Sequence, residues 1–225
     1  MNATAPTNAT LQIDMVSDVV CPWCSIGYQR LKKALAEFPD LAVELNFRPF
    51  ELNPSMPREG QNVNEHIAEK YGADPSSIEQ NRARLRAVGE EEGVHFKMDG
   101  EGRIYNTFLA HKLLHEAEAL GTQEALKVAL MQAYFSERMD VSSPEVLVEI
   151  ASRHGFSKES AEAVLADETV TQQVREEQRS YSNMGISAVP TFIFNGQYSM
   201  SGAHDVSTLS NVIKDILSKQ EAAVH

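Results

Sequence analysis

The sequence predicts an α/β fold in which a βαβ unit and a later ββα unit flank a long helical insertion. Short segments near both ends of the chain have the alternating or continuously apolar patterns of β-strands, whereas the middle of the chain repeats its apolar residues at helical spacing. The chain has 225 residues, of which 42% are hydrophobic, and this length suits one large domain or a small domain with an insertion of comparable size.

The first unit consists of a strand, a helix and a strand. Apolar and polar residues alternate over residues 11–17, which predicts a strand, and apolar residues then recur at helical spacing over residues 26–38. A second alternating segment, 41–47, predicts another strand and leads into the proline-rich stretch 48–54. These three elements form a short parallel βαβ unit.

The insertion extends from about residue 63 to residue 183, and its pattern is helical throughout. Residues that cap helix starts and glycines that end helices divide it into several helices. The predicted starts are Ser76, Thr122, Ser143 and Ser157, and the predicted ends are Gly72, Gly121 and Gly155.

The last unit is a hairpin followed by a helix. The runs 191–194 and 197–200 are joined by Asn195-Gly196, a pair that favours the tight turn of a β-hairpin, and a closing helix extends over about 205–218. We therefore predict a discontinuous α/β domain and an inserted helical domain. The first comprises residues 11–62 and 184–220, and the second comprises residues 63–183.

Charge and hydropathy exclude some partners. Acidic residues outnumber basic ones by 32 to 20, so the formal net charge at pH 7 is −12. A charge of this sign repels phosphate backbones and anionic lipids, and we expect neither nucleic acid nor a membrane as a partner. The first ten residues lack the basic and apolar segments of a secretory signal, so we expect a cytoplasmic protein.

The chain has only two cysteines, and they stand three positions apart in Cys21-Pro22-Trp23-Cys24. A disulfide between them closes too short a loop to stabilise a domain of this size, so the pair indicates chemistry or a metal site. A C-x-x-C next to a βαβ unit is typical of thioredoxin-like redox proteins. The predicted fold class is therefore thioredoxin-like, with an inserted all-helical domain.

The position of the motif accounts for its chemistry. With Cys21 at the entrance of the helix and Pro22 at its first position, the Cys21 sulfur faces unpaired backbone N–H groups, which stabilise a thiolate. We expect Cys21 to be the accessible, attacking sulfur. Cys24 lies one turn further along the helix, and its thiol resolves a mixed disulfide by attacking Cys21.

Two other interpretations of the cysteine pair carry less weight. His111 and His115 stand at helical i, i+4 spacing and offer the second half of a zinc site. Structural zinc ligands usually come as two pairs within a few dozen residues, however, and these histidines are much further from Cys24. An inert buried pair gives Pro22 and Trp23 no purpose.

The pair Val189-Pro190 precedes the third predicted strand. Base rates favour a trans bond, but in a thioredoxin-like fold this loop faces the C-x-x-C motif. A cis proline there leaves the Val189 backbone free to pair with an extended substrate. We therefore predict a cis Val189–Pro190 bond.

Five motifs together carry a resemblance to a known family. They are Asp18-Val-Val-Cys21-Pro-Trp-Cys24, Ile26-Gly27, Phe47-Arg-Pro-Phe-Glu-Leu-Asn-Pro54, Val189-Pro-Thr-Phe-Ile-Phe194 and Gly202-Ala203. The chain resembles the DsbA superfamily, and more narrowly its FrnE-like branch, thioredoxin folds with a helical insertion. The resemblance implies a thiol–disulfide oxidoreductase with Cys21 as nucleophile, Cys24 as resolving thiol and Pro190 as the cis proline.

The resemblance also implies where substrates bind and what they are. The residues expected at the substrate groove are Pro22, Trp23, Val189, Phe50, Asn53, Asn106 and His111. We expect protein or low-molecular-weight thiols and disulfides as substrates, no cofactor or metal, glutathione as a substrate or reductant, and a monomer or weak homodimer. The chain lacks the second cysteine pair of some relatives, and it has His204 where relatives often have Gln.

Two other functions remain open. Kappa-class glutathione transferases and chromene-carboxylate isomerases share this architecture, so a glutathione-dependent transferase or isomerase is the alternative. Such enzymes typically have serine where Cys21 stands, and a transferase has no use for Cys24, so the presence of both sulfurs favours disulfide exchange. A non-catalytic binding module is the third hypothesis.

Charged residues cluster between positions 82 and 92. Three arginines and three glutamates occur there, and we interpret them as the solvated face of a helix. They are Arg82, Arg84, Arg86, Glu90, Glu91 and Glu92.

Overall fold

A computed structural model of the chain describes residues 10–224. The amino-terminal segment on which the predicted cytoplasmic location depends lies almost entirely outside these residues. The strands are β1 (Thr10–Ser17), β2 (Ala42–Pro49), β3 (Gln61–Asn62), β4 (Arg103–Ile104), β5 (Thr191–Phe194) and β6 (Tyr198–Ser201). The helices are α1 (Pro22–Leu35), α2 (Val63–Tyr71), α3 (Pro75–Glu92), α4 (Phe108–Ala119), α5 (Gln123–Phe135), α6 (Pro144–Ser152), α7 (Lys158–Ala166), α8 (Glu168–Asn183) and α9 (Val206–Val224). None of the described helices combines the length and the apolar character that a membrane crossing requires.

Four strands form the central sheet in the order β2-β1-β5-β6. β1 runs parallel to β2 and antiparallel to β5, and β5 pairs antiparallel with β6. Leu11, Ile13 and Met15 alternate along β1 and are fully buried in one cluster with Leu31 of α1 and Ile213 of α9. The predicted thioredoxin-like fold class, with its βαβ and ββα units, is confirmed.

The inserted helices have a second apolar core. Leu113 of α4, Leu126 of α5, Leu147 of α6 and Ala161 of α7 are fully buried in it. α4, α5 and α8 also pack against β2. The insertion therefore covers an edge strand of the sheet, which would otherwise present unpaired backbone groups to solvent.

The prediction that the insertion is helical throughout is wrong for residues 93–107, which contain no helix. Instead, β3 and β4 form a small antiparallel ribbon in which Gln61 pairs with Ile104. Gly93 ends α3 with φ of 83°, and Gly100 adopts φ of 92° in the loop before β4. These left-handed conformations suit glycine and interrupt a helix.

The predicted starts of α5, α6 and α7 are confirmed, but the prediction that Ser76 starts a helix is wrong. α3 begins two residues earlier, because Asp74 accepts hydrogen bonds from the backbone N–H groups of Ser76 (2.9 Å) and Ser77 (3.1 Å). Pro75 occupies the first helical position, where its missing N–H is not needed. At the other end of the chain, α9 extends beyond the predicted residue 218 to Val224.

The interpretation of the charged residues of α3 as a solvated face is wrong at Arg82, whose side chain is 11% exposed, and at Glu92. Glu92 is only 10% exposed and binds Arg30 (2.6 Å) and Lys33 (2.7 Å) of α1. The Arg84 guanidinium lies 5.7 Å from the centre of the Trp23 ring. These contacts attach α3 to the helix that carries the C-x-x-C motif.

Candidate active site

Cys21 is the residue at which β1 and its loop pass into α1. It has an extended backbone, with φ of −88° and ψ of 111°, and forms the N-terminal cap of the helix. Its Sγ accepts a hydrogen bond from the backbone N–H of Cys24 at 3.2 Å. The sulfur of the first cysteine is therefore held against the positive end of α1, where a negative charge is favoured.

Both cysteines are free thiols, and the protein encloses both of them. Cys24 is fully buried, and this burial raises the pKa of its thiol well above the usual value; the neighbouring Cys21 raises it further. Cys21 is only 3% exposed, so the prediction of an accessible sulfur is wrong for this conformation. The Cys21 thiol is covered by the Val189 loop, because its Sγ donates to the Val189 carbonyl oxygen at 3.8 Å.

The Val189–Pro190 peptide bond is cis, as predicted from the sequence. Pro190 is buried, and α1 approaches it closely at Gly27. A Cβ atom at Gly27 would lie 3.1 Å from Pro190 and 3.3 Å from Phe192. The absence of a side chain at Gly27 thus allows the proline loop to lie beside the helix of the cysteines.

Asp18 connects the cysteine loop to the rest of the molecule. It is fully buried, and its Oδ2 accepts a hydrogen bond from the Leu52 N–H at 2.8 Å. Its Oδ1 lies 3.4 Å from Nε2 of His111, on α4. Burial alone raises the pKa of Asp18, but His111, the Leu52 N–H and Lys127 outweigh it and hold the pKa below its usual value.

Lys127 of α5 is a buried cation near Asp18 and Cys24, and it was not among the residues predicted from the sequence. It is 1% exposed, and its Nζ has no hydrogen-bond partner among the described residues. Burial lowers its pKa, whereas the nearby Cys24 and Asp18 raise it. The available signal was its spacing, because Lys127 stands three and four positions before Leu130 and Met131 on the apolar face of α5.

The remaining residues predicted at the substrate groove lie in different surroundings. Pro22 and Trp23 are partly exposed beside the cysteines, and Phe50 is half-buried just after β2. Asn53 accepts hydrogen bonds from Lys70 (2.6 Å) and His66 (3.0 Å) of α2.

Asn106 stands just before α4, and its hydrogen bonds join this helix to the loop after β2. Its Oδ1 accepts from the Phe108 N–H at 3.0 Å, and its Nδ2 donates to the Met56 carbonyl at 3.4 Å. These bonds fix the loop after β2 and begin the helix. The predicted role of Asn53 and Asn106 in substrate binding stays a prediction.

The histidines of the alternative zinc site contact different carboxylates. His111 lies against Asp18, whereas His115 lies 3.3 Å from Glu177 of α8. His204, in place of the glutamine of relatives, bonds through Nε2 with the Ser201 carbonyl at 2.9 Å.

The protein-family model of the DSBA-like thioredoxin domain matches residues 12–214 of the sequence. The chain belongs to this family. It is similar to the crystal structure of a probable DsbA oxidoreductase, SCO1869, from Streptomyces coelicolor, with 32% identity and a TM-score of 0.87, over 92% of this chain and 90% of that one. As a DsbA-like protein with such neighbours, the chain is a thiol–disulfide oxidoreductase.

Other similar proteins are more distant. The uncharacterized protein YwbO of Bacillus subtilis (strain 168) is 27% identical over 207 residues, which are 92% of this chain and 97% of YwbO. A 2-hydroxychromene-2-carboxylate isomerase structure has a TM-score of 0.68 with 16% identity, over 95% of this chain and 99% of that one. The structure of the cytosolic disulfide reductase DsbM of Pseudomonas aeruginosa, solved with GSH, has a TM-score of 0.61 with 16% identity, over 92% of this chain and 99% of that one. At these identities, the last two show a shared fold.

Proposed function

We propose that Cys21 and Cys24 exchange disulfides with protein or low-molecular-weight thiol substrates, with Cys21 as the nucleophile and Cys24 as the resolving thiol. The observation that carries the proposal is the hydrogen bond from the Cys24 N–H to the Cys21 sulfur at 3.2 Å. It gives the two sulfurs different surroundings, one capping the helix and the other fully buried behind it. Exchange through a mixed disulfide needs this division of roles.

In the reductive direction, the Cys21 thiolate attacks one sulfur of a substrate disulfide. The substrate S–S bond breaks, one substrate thiol leaves, and Cys21 is joined to the other substrate sulfur. Cys24 then loses its proton and attacks the Cys21 sulfur, which releases the second substrate thiol and forms the Cys21–Cys24 disulfide. Two electrons pass from the protein to the substrate, and the oxidative direction is the reverse of these steps.

The proposed substrate contacts are Pro22, Trp23 and the backbone of Val189. The Val189 carbonyl lies within 3.8 Å of the Cys21 sulfur, so an extended substrate that pairs with this backbone would bring its own sulfur to Cys21.

Glutathione is the small thiol we propose, and the DsbM structure solved with GSH supports it. A cytoplasmic location, a place in the FrnE-like branch and a monomeric or weakly dimeric state are further parts of the proposal; the cytosolic DsbM neighbour supports the first.

The second candidate is a glutathione-dependent isomerase or transferase, which the fold shared with the 2-hydroxychromene-2-carboxylate isomerase favours. That chemistry does not pass through a protein disulfide. Cys24 is therefore the residue that separates the two candidates.

The experiment compares Cys24→Ser with Cys21→Ser in assays of insulin and glutathione-disulfide reduction, alongside non-reducing gels. We expect Cys24→Ser to complete the first attack, lose turnover and accumulate mixed disulfides that dithiothreitol releases. We expect Cys21→Ser to lose turnover and trap nothing. Full turnover by Cys24→Ser without a trapped adduct would contradict disulfide exchange and favour the glutathione-dependent class.

A further inference from the structure

A cavity of about 330 Å³ lies beside the C-x-x-C motif, between α2, α3 and the residue 97–105 segment. Val20 and Pro22, the residues on either side of Cys21, form part of its wall. The exposed residues Asn81 and Glu101 also line it, so a ligand can enter from solvent. Its volume is at the lower end of the range of about 300–1,000 Å³ that is usual for small-molecule sites.

The cavity combines an apolar wall with an excess of basic groups. Apolar and aromatic side chains form most of the wall, including Ile78, Leu85, Tyr134 and Phe135. Its charged side chains are four basic and two acidic ones. They are Arg82, Lys97, Arg103, Arg138, Asp99 and Glu101. In a chain of net charge −12, a cavity with this excess of basic side chains is complementary to an anion with an apolar body.

Arg138 lies three residues beyond the end of α5, in a backbone conformation that favours glycine. It follows α5 with φ of 59°, in the left-handed region. The Met139 N–H donates to the Ala133 carbonyl at 2.8 Å, and this bond closes the turn that follows α5 around Arg138. A non-glycine residue is uncommon in this conformation, which motivates a functional hypothesis for the Arg138 side chain.

The Arg138 side chain has unused hydrogen-bonding capacity at the cavity. It forms an ion pair with Asp99, which is half exposed and therefore solvated. Its Nε is buried and has no hydrogen-bond partner among the described residues. The side chain lines the cavity and is 28% exposed, so a guanidinium that exchanges the solvated Asp99 for a ligand is suited to bind a carboxylate there.

We propose that this cavity binds the body of a small aromatic disulfide or thiol substrate that carries a carboxylate, and that Arg138 binds the carboxylate. The inference rests on the proposed function and names a substrate class for it. The aromatic body occupies the wall formed by Tyr134 and Phe135, and the substrate sulfur extends past Pro22 to Cys21.

A suitable probe is 5,5′-dithiobis(2-nitrobenzoate), an aromatic disulfide with one carboxylate on each ring. The reduced protein attacks it through Cys21, its S–S bond breaks and one thionitrobenzoate leaves; attack by Cys24 then releases the second and leaves the Cys21–Cys24 disulfide. The uncharged 4,4′-dithiodipyridine undergoes the same steps and is the matched probe without carboxylates.

The decisive variant is Arg138→Gly, because glycine relieves the left-handed backbone while it removes the guanidinium. We expect its second-order rate constant with the nitrobenzoate disulfide to fall about tenfold, the value of one charge-assisted hydrogen bond, with no change for 4,4′-dithiodipyridine. Its Tm should be equal to or above that of the parent chain. Asp99→Asn, which removes the competing carboxylate, should speed the nitrobenzoate reaction.

Two controls separate this inference from its alternatives. Arg153→Ala removes an exposed guanidinium that pairs with Glu149 outside the cavity, and it should leave both rates unchanged. Sulfur-free 2-nitrobenzoate should slow the reaction of the parent chain competitively, and nitrobenzene should do so less.

The inference fails if Arg138→Gly slows both disulfides equally, slows neither, or matches Arg153→Ala. The proposed function fails in a different way. In that case the parent chain would not catalyse reduction of insulin or glutathione disulfide, whatever residue stands at position 138.

Discussion

Asp18 and Lys127 are opposite charges that the core encloses together, beside the fully buried Cys24. Charged groups lose their hydration on burial, and the loss is offset here by their mutual attraction, by the Leu52 N–H and by the His111 ring. Removal of one charge leaves the other without compensation. The pair therefore makes the active-site loop sensitive to single substitutions.

The consequence is a prediction for Asp18→Asn. Because the pKa of Asp18 is held below its usual value in the folded chain, the carboxylate stabilises the fold at pH values above about 4, the unfolded pKa. This stabilisation is lost as the pH falls through the lower, folded pKa. Urea unfolding should show a loss of about 3 kcal/mol for Asp18→Asn at pH 7, and the difference from the parent chain should shrink below about pH 4.

The double variant with Lys127→Met tests the cause. The double variant lacks both charges, so it should regain most of the free energy of unfolding that Asp18→Asn loses, because the unpaired buried ammonium is also removed. Glu149→Gln is the surface control: its pair with Arg153 is mostly exposed, and it should change stability by less than about 1 kcal/mol. A pH-independent loss for Asp18→Asn, or no recovery in the double variant, would contradict the electrostatic explanation.

At the scale of elements, one buried side chain joins the insertion to the sheet. Gln123, the first residue of α5, accepts from the Phe47 N–H (2.8 Å) through Oε1. Its Nε2 donates to the carbonyls of Phe47 (3.1 Å) and Leu114 (3.0 Å). It thus satisfies backbone groups on the free edge of β2 in place of a neighbouring strand.

We therefore expect Gln123→Leu to destabilise the chain by about 3 kcal/mol, because it leaves buried backbone groups unpaired. For a chain of this size this corresponds to a fall in Tm of about 6–12 °C, measured by circular dichroism. Gln123→Glu keeps the acceptor for the Phe47 N–H, so its Tm should lie between that of the parent chain and that of Gln123→Leu. Gln132→Leu, on the exposed side of the same helix, should have little effect; an equal fall there would mean that helix propensity and not the bridge is responsible.

The elements also show what local sequence could predict. The strands of the central sheet follow from alternation and from Asn195-Gly196, since both are local signals. β3 and β4 are two residues each, so they have no pattern of their own and exist only because the loop around Gly100 brings them together. The predicted start of α3 is Ser76, whereas Asp74 caps the helix and Pro75 occupies its first position.

The positions of the two active-site cysteines could be predicted from the sequence, but the residues that pack around them could be predicted less well. The spacing of Cys21 and Cys24 fixes their positions at the start of a helix, whatever the rest of the chain does. The approach of Lys127 depends instead on how α5 packs under the cysteine loop. Long-range packing of this kind is not encoded in any short segment.

At the scale of the whole molecule, the predicted boundary between two domains does not coincide with a boundary in the core. Phe96, Met131 and Phe135 of the predicted insertion belong to the same buried cluster as Leu11 and the rest of the sheet core. The bridge from Gln123 and the contacts of α3 with α1 cross the same boundary. Neither part encloses its apolar surface alone, so we expect them to unfold together.

Trp23 makes this testable, because it is the only tryptophan and lies in the α/β part, whereas most helices lie in the insertion. In urea under reducing conditions, Trp23 fluorescence should report the first part and far-ultraviolet circular dichroism mainly the second. We expect the two transitions to coincide, with equal midpoints and slopes. Gln123→Leu, which removes one connection, should lower both midpoints together. A helical signal that persists after the Trp23 transition is complete would contradict a shared core and would instead support an insertion that folds independently.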